Sequence, residues 1–279
     1  MLSRQRNEPA WSWRNLKGAR ATAVLTNLSR APEVFRCMRI SPDWDWLTMA
    51  YLGLRRPSYP SEFRTRRGDA LVLDNLHDLV TAWIIYCRGE YTVLPGDSVI
   101  VDAGANIGAF TAFAARRAPR ARIVSVEPFP ATRAKLERTI ARNGLSTRVV
   151  VRDWALARSD APRAMDDRDA PSQSRGMLPP GAGGGVLVNA LSLATFLERE
   201  NLPKVDLLKM DIEGGEHEVI AGAPVESLRR IGRIALEYHP NGSKSELFAR
   251  LVRAGFEMQR DLPVAPDSGV AEFLRVDAL

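Results

Sequence analysis

The sequence predicts a doubly wound α/β fold in which helices cover both faces of a mostly parallel sheet. From residue 97 onward, short apolar runs alternate with stretches of helical periodicity, as in successive strand–helix–strand units. Continuous apolar runs of this kind are typical of parallel strands buried on both faces. The last two strand-like segments have no helix between them, which indicates an antiparallel hairpin at the C-terminal end.

Individual elements follow from the same patterns. The apolar runs predict five parallel strands, at residues 98–101, 122–126, 148–151, 205–210 and 231–236. Helical spacing predicts three helices, at residues 76–88, 109–118 and 131–143. The C-terminal hairpin is predicted from residues 256–260 and 270–276, which flank a loop of Pro, Asp and Gly.

We divide the chain into three parts: a basic, mainly helical N-terminal extension (residues 1–60), a hairpin with a helix (residues 61–96), and a ligand-binding α/β domain (residues 97–279). The extension has helical periodicity around Leu16–Leu28. Within the α/β domain, residues 157–185 are charged and Ala-rich and end in a Pro/Gly loop. We interpret them as a flexible insertion near the site, either a lid or simply mobile.

The composition is that of a soluble globular protein, with 45% hydrophobic and 26% charged residues among 279. The net charge of +6 suits nucleic acid, anionic lipid or phosphorylated ligands, but an Arg-rich genome explains it equally well. Cys37 and Cys87 lack metal-ligand spacing, which favours a reducing, cytoplasmic location. No secretory signal is evident, and no window approaches the roughly 18 apolar residues of a membrane span. An interfacial role for the Trp-rich start stays open.

The most informative motif is Val-Ile-Val-Asp-Ala-Gly-Ala-Asn-Ile-Gly, residues 99–108, a strand that turns into a helix. Its glycines let the backbone approach a ligand and direct free N–H groups at it. Asp102 suits a cofactor with an ammonium near a sulfonium and suits a pyrophosphate badly. Glu127, at the tip of the next strand, is placed to accept hydrogen bonds from ribose hydroxyls. Asp153 and Trp154 follow the third strand, where an adenine needs an acceptor and a flat neighbour; a solvated Asp153 is the alternative.

A second motif, Leu-Leu-Lys-Met-Asp-Ile-Glu-Gly-Gly-Glu, joins a strand to an acidic loop in residues 207–216. Asp211 and Glu213 can orient a substrate, take its proton, or hold a divalent cation. Glu216 lies one turn into the following helix, where a favourable interaction with the helix N-terminus is the simpler explanation. His239 follows the next strand at the same edge and is a candidate base, with a partly buried structural histidine as the alternative.

Together these motifs resemble the FkbM-type methyltransferases over roughly residues 65–240. The segments that carry the resemblance are residues 88–91, 101–108, 126–130, 136–145, 208–216 and 236–237. The resemblance implies a Rossmann-like class I methyltransferase fold with a seven-stranded, mostly parallel sheet and an antiparallel C-terminal strand. It also implies S-adenosylmethionine as methyl donor and O-methylation of a sugar, glycolipid or polyketide-type natural product.

Carried over by position, the resemblance assigns the cofactor contacts. Asp102, Gly104 and Asn106 are expected at the methionine end, Glu127 at the ribose and Asp153 at the adenine. The other residues predicted to bind the cofactor are Tyr91, Gly108, Pro128 and Trp154. Asp211 is expected near the transferred methyl group.

Methyl transfer requires an in-line arrangement, so positioning alone supplies much of the acceleration. For a hydroxyl acceptor the candidate bases are Asp211 and His239, with Glu213 as a third catalytic candidate. Some small-molecule O-methyltransferases hold the acceptor oxygens with Mg²⁺. Asp211 with Glu237 or His239 can supply such a metal site. The expected partners are a small hydroxylated acceptor and, compatibly with the sequence, a second copy in a homodimer.

The chain departs from the family in two ways. Residues 188–193 stand where the family more often has Thr-Leu-Asp, and the Gly-rich segment 178–185 and the long basic N-terminus are not shared in detail. Three other functions fit the sequence less well. A nicotinamide-dependent dehydrogenase is disfavoured by Asp102 and by Asn106 in place of a middle glycine. An RNA methyltransferase fits the basic charge, but no nucleic-acid-binding module is recognisable. A non-catalytic binding protein on the same scaffold is disfavoured by the intact turn after Asp102.

Overall fold

The computed structural model describes residues 30–166, 178 and 184–276. The helical periodicity around Leu16–Leu28 and most of the insertion at residues 157–185 therefore lie outside the described residues. Among the residues that are described, no helix combines the length and apolarity needed to cross a membrane. Cys37 and Cys87 are both buried and unbridged.

The N-terminal part consists of two helices, a hairpin and a third helix. These elements are α1 (Ala31–Ile40), α2 (Trp44–Tyr51), β1 (Ser61–Arg64), β2 (Ala70–Leu73) and α3 (Leu76–Trp83). The antiparallel pairing of β1 with β2 confirms the predicted hairpin. Asn75 caps α3 by accepting a hydrogen bond from the Asp78 N–H.

The predicted helix over residues 76–88 is α-helical only in its first eight residues. From Ile84 to Arg88 it widens into a π-helical turn that ends at Gly89, whose N–H donates to the Ile84 carbonyl. Apolar spacing of three and four does not distinguish a π-turn from an α-turn over five residues, so this change could not be predicted. Gly89 has φ +70°, and a Cβ there would meet the side chain of Arg36 from α1.

The remaining elements build the α/β domain. In chain order they are β3 (Val99–Ala103), α4 (Ala109–Arg117), β4 (Arg122–Val126), α5 (Pro130–Arg142), β5 (Val149–Arg152), β6 (Ala155–Ala157), β7 (Arg163–Met165), β8 (Val186–Val188), β9 (Ala190–Ser192), α6 (Leu193–Arg199), β10 (Val205–Met210), α7 (Glu216–Gly222), α8 (Val225–Leu228), β11 (Ile231–Tyr238), α9 (Lys244–Arg253), β12 (Phe256–Ala265) and β13 (Ser268–Arg275). Pro130 begins α5, and Ser192 and Ser243 cap α6 and α9.

Seven strands form one sheet in the order β12-β13-β11-β10-β3-β4-β5. Only β13 runs against its neighbours, since it pairs antiparallel with both β11 and β12. The predicted α/β class with an antiparallel C-terminal strand is therefore confirmed. Four strands, β3, β4, β10 and β11, end side by side at one edge of the sheet, where open α/β folds bind their ligands.

Two apolar clusters cover the two faces of this sheet. One joins α1–α3 to α4 and α5, with Trp83, Tyr51 and Phe110 among its large side chains. The other packs α6, α7 and α9 against the opposite face and contains Phe196 and Phe273. Because helices bury both faces, the strands between them are apolar throughout, as the sequence predicted.

Candidate active site

A cavity of about 610 Å³ opens at the carboxyl ends of the central strands. This volume lies within the range of small-molecule sites. Residues of the predicted site line it in two groups. The turn after β3 and the loops after β4 and β5 contribute Gly104, Asn106, Glu127, Pro128 and Trp154. The end of β11 and the loops after β10 and β11 contribute Asp211, Glu213, Glu237 and His239, beside Ile212 and Pro240.

The turn after β3 has the close backbone approach that its glycines predicted. Gly104 has φ +75°, and a Cβ there would lie 1.8 Å from the carbonyl oxygen of Asp211, so only glycine fits. Asn106 also adopts a left-handed conformation, with φ +49°. Its side-chain oxygen is buried without a hydrogen-bond partner among the described residues. Asn106 lines the cavity, but this oxygen itself has almost no exposed surface.

Glu127 is fixed by two backbone hydrogen bonds at the tip of β4. Its Oε2 accepts from the Asn106 N–H at 3.0 Å and its Oε1 from the Phe129 N–H at 3.0 Å. Burial raises the pKa of Glu127 to about 7, although these hydrogen bonds oppose the shift. The carboxylate keeps free lone pairs that can accept from ribose hydroxyls.

Asp102 and Gly108 do not line the cavity, contrary to the sequence prediction. Asp102 is fully buried, with its carboxylate 3.1 Å from Nζ of Lys209 and accepting a 2.6 Å hydrogen bond from Thr111. Its role is therefore to neutralise a buried lysine. Gly108 has φ +83°, and a Cβ there would lie 2.9 Å from Leu136, so this glycine allows α4 to pack closely on α5.

Lys209, which was not among the predicted site residues, connects the turn after β3 to the acidic loop (residues 211–215). Its Nζ donates a 2.7 Å hydrogen bond to the Gly104 carbonyl and lies 3.8 Å from the Asp211 carboxylate. Burial would lower the pKa of Lys209, but Asp102 and Asp211 raise it, so the ammonium stays charged. A lysine inside the apolar run of β10 was the available signal, because buried lysines are rare unless paired.

The two residues predicted to lie beside the adenine, Asp153 and Trp154, line different clefts. Trp154 lines the cavity, and its ring packs edge-to-face on Phe196 with the Arg152 and Arg199 guanidinium groups 5.5 and 5.7 Å from its centre. Asp153 is exposed and lines a separate shallow cleft. Consecutive residues after a strand point in different directions, so only the tryptophan faces the cavity.

Segments outside the α/β domain complete the cavity wall. Tyr91 is buried against Phe110, at 5.5 Å between ring centres, and its hydroxyl has no hydrogen-bond partner among the described residues. Thr81, Ile84 and Ile85 of α3 and its π-turn also line the cavity. The helical prediction for residues 76–88 gave no indication that this helix faces the site.

The acidic residues of the two loops converge on His239. Its Nε2 lies 3.6 Å from the Glu213 carboxylate and 4.0 Å from that of Glu237, while its Nδ1 lies 3.4 Å from Glu216. Asp211, Glu237 and His239 each offer one ligand atom within 4.8 Å of the others. The sheet thus assembles the candidate base, the other predicted catalytic carboxylates and the predicted metal ligands in one place.

Crowding of these carboxylates shifts their protonation. Burial and the charge of Asp211 raise the pKa of Glu213 to about 8, and the same causes raise the pKa of Glu237 well above its ordinary value. Burial would lower the pKa of His239, but contact with Glu216 and the charges of Glu237 and Glu213 raise it to about 10. At neutral pH the cluster of Glu213, Glu237 and His239 therefore holds protons that a bound cation would displace.

Several proteins similar to this chain are named methyltransferases. The chain is 29% identical over 199 residues to "Methyltransferase sdnD" of Sordaria araneosa, covering 60% of this chain and 77% of the relative. It is 28% identical over 200 residues to the 31-O-demethyl-FK506 methyltransferase FkbM of Streptomyces tacrolimicus, covering 61% and 76%. Among solved structures, Aeropyrum pernix fibrillarin with bound S-adenosyl-L-methionine is similar at 16% identity and a TM-score of 0.41, covering 70% and 74%.

The family model for the methyltransferase FkbM domain matches residues 102–258, from the end of β3 to β12. This match spans more than half of the chain and includes the turn at Gly104, Glu127, the acidic loop and His239. The chain therefore belongs to the FkbM family of methyltransferases.

Proposed function

We propose that this methyltransferase transfers the methyl group of S-adenosylmethionine to a hydroxyl oxygen of a small molecule, namely a sugar, a glycolipid or a polyketide-type natural product. The observation that carries the proposal is the division of one cavity. A ribose-accepting glutamate lies on one side, and carboxylates with a histidine lie on the other. One relative is named a 31-O-demethyl-FK506 methyltransferase, and this name also supports oxygen as the acceptor atom.

The described residues fit the donor. Asn106 and Tyr91 line the same cavity as Glu127, which can accept from ribose hydroxyls, and Trp154, which can flank an adenine. When bound, S-adenosylmethionine supplies an electrophilic methyl group on a cationic sulfonium. Asp211 lies at the junction of the two sides, because its backbone touches Gly104, and its carboxylate can stabilise nearby positive charge.

Asp211 is our candidate for the group that takes the proton of the acceptor hydroxyl. Its carboxylate is partly exposed to the cavity, and Lys209 holds it at 3.8 Å. His239 carries a proton at neutral pH, because of the carboxylates around it, so it suits hydrogen-bond donation to the acceptor better than proton abstraction. Glu213 is the third catalytic candidate, as a group that orients the acceptor beside His239.

A divalent cation at Asp211 and Glu237, with His239 beside them, is part of this proposal. The ligand atoms lie close enough together to share one ion, and two carboxylates suit Mg²⁺ or Mn²⁺. Calorimetric titration with Mn²⁺ is expected to show saturable binding that Glu237→Gln removes. Absence of saturable binding by the folded wild type would overturn the metal site and leave the donor site untouched.

The donor site is tested by calorimetric titration with S-adenosylhomocysteine. Micromolar binding by the wild type, weakened in Glu127→Ala, is expected, followed by transfer of labelled methyl to hydroxylated acceptors. No binding by a demonstrably folded wild type would overturn the proposal. Donor binding without transfer to any acceptor would favour a non-catalytic binding protein. Transfer to RNA with a steep salt dependence would favour a nucleic-acid methyltransferase.

A further inference from the structure

We infer that Glu216 is the positioning residue of the acceptor side of the site. Its buried carboxylate holds both the acidic loop that carries Asp211 and Glu213 and the imidazole of His239. The inference rests on the proposed function for its catalytic meaning, and on the contacts of Glu216 for its structural content.

The first argument is the way Glu216 holds the acidic loop. Its side chain is fully buried, its Oε1 accepts a 2.7 Å hydrogen bond from the Ile212 N–H, and its Oε2 accepts one of 3.0 Å from the Gly214 N–H. Between these two points Glu213 has φ +55°, a conformation that costs free energy for a residue with a Cβ. The two hydrogen bonds from either side of Glu213 stabilise that conformation and direct its carboxylate toward His239.

The second argument is the orientation of the His239 ring. Nδ1 lies 3.4 Å from Oε2 of Glu216, within ion-pair distance, and makes no hydrogen bond to any described residue. Nε2 faces the opposite way, toward Glu213 and Glu237 in the cavity. A carboxylate behind a histidine fixes which nitrogen faces the reacting groups, whether that nitrogen meets a substrate or a metal.

Non-covalent contacts also join the acidic loop and α7 to the segment after β11, so this region forms one structural unit. Asn241 Nδ2 donates a 2.8 Å hydrogen bond to the Gly214 carbonyl, and Nε2 of His217 lies 3.0 Å from the His239 carbonyl. Glu216 is the residue whose carboxylate reaches the acidic loop and the His239 ring together.

A general interaction with the helix N-terminus does not account for these contacts. Such an interaction requires only a negative charge in the first turn of α7, and Glu218 already supplies one there. Specific hydrogen bonds instead require two acceptor oxygens at a fixed distance. Glu216→Asp keeps the charge but shortens the side chain, whereas Glu216→Gln keeps the length but has one acceptor oxygen instead of two.

The test compares both variants with the wild type in methyl transfer, donor binding and NMR. We expect kcat to fall about 10–100-fold in Glu216→Gln and in Glu216→Asp, with the S-adenosylhomocysteine Kd changed by less than about threefold. Only three histidines are present, so the ring nitrogens of His239 can be assigned by ¹⁵N NMR. Because Nδ1 lies within ion-pair distance of the Glu216 carboxylate, its signal in the wild type is expected to shift in both variants.

The matched control is Asp97→Asn, another buried carboxylate. Asp97 accepts a backbone hydrogen bond from Leu94 and pairs with Arg233 near the amino ends of the strands, away from the cavity. It is expected to lower thermal stability while leaving kcat and the His239 signals at wild-type values. Wild-type activity in Glu216→Asp, or an Nδ1 signal that does not respond to either variant, would overturn the inference. If the wild type binds donor but methylates no hydroxyl, the proposed function fails, and the NMR comparison still decides the role of Glu216.

Discussion

Replacement of Lys209 by methionine tests the buried charge cluster beneath the turn that follows β3. Methionine has similar length and fills the space of the lysine stem, so the change removes mainly the ammonium group. That group lies 3.1 Å from Asp102, 3.8 Å from Asp211, and donates a 2.7 Å hydrogen bond to the Gly104 carbonyl. Its loss leaves the fully buried Asp102 without a counter-ion.

Breaking a buried ion pair by removing one partner costs about 3–5 kcal/mol, and we expect Lys209→Met to lose stability in this range. The double variant Asp102→Asn/Lys209→Met removes both charges, and an amide can still accept the hydrogen bond from Thr111. Replacement of a whole buried pair is often nearly neutral, so the double variant is expected to lie within about 2 kcal/mol of the wild type.

Urea denaturation of the wild type, both single variants and the double variant gives the coupling free energy directly. Tryptophan fluorescence and circular dichroism must give coincident transitions for the free energies to be comparable. A loss below about 1 kcal/mol in Lys209→Met, or losses that simply add in the double variant, would refute the assignment of Lys209 as the counter-ion of Asp102.

Three further predictions concern the cavity. Because burial raises the pKa of Glu127 to about 7, proton binding competes with ribose hydroxyls below that pH. The affinity for S-adenosylhomocysteine should therefore fall about tenfold from pH 8 to pH 6. Glu127→Gln should show no such pH dependence in calorimetry. The same shift means that ionising Glu127 lowers folding stability as the pH rises from the pKa that Glu127 has in the unfolded chain toward 7. Gly104→Ala should weaken donor binding at least about tenfold, because its Cβ would clash with the Asp211 carbonyl. Gly144 has φ +64° and open space around it, so Gly144→Ala should lower folding stability by only roughly 1–2 kcal/mol of left-handed strain. Equal donor affinities of the two variants would contradict this prediction. Asp211→Asn should lower kcat with donor affinity nearly intact, and a collapse of donor affinity in calorimetry would remove its proposed catalytic role.

The strand-end residues could be predicted because the fold class alone brings them together. Parallel strands have their carboxyl ends at one edge, so the turn at Gly104, Glu127, the acidic loop and His239 had to meet there once the apolar runs were read as parallel strands. Glycine and carboxylate positions after strands are visible in the sequence, and the structure places most of them at the cavity.

Side-chain direction could not be predicted. Asp102 turns into the protein to meet Lys209, a pairing set by the register in which β3 lies beside β10. Asp153 and Trp154 are adjacent in the chain, yet only the tryptophan lines the cavity. In the sequence, Glu216 is an acidic residue in the first turn of a helix, and its hydrogen bonds to the acidic loop are evident only in the tertiary structure.

By itself, the sequence determined the α/β class, the methyltransferase family, and the candidate residues that gather at the carboxyl edge of the sheet. Those features depend on local periodicity and on which residues follow a strand. Tertiary structure alone decided which charges neutralise each other, how the π-turn of the N-terminal part closes the cavity, and which carboxylate orients His239. These depend on contacts between segments far apart in the chain, whose register and side-chain directions are fixed only when the sheet and its covering helices pack together.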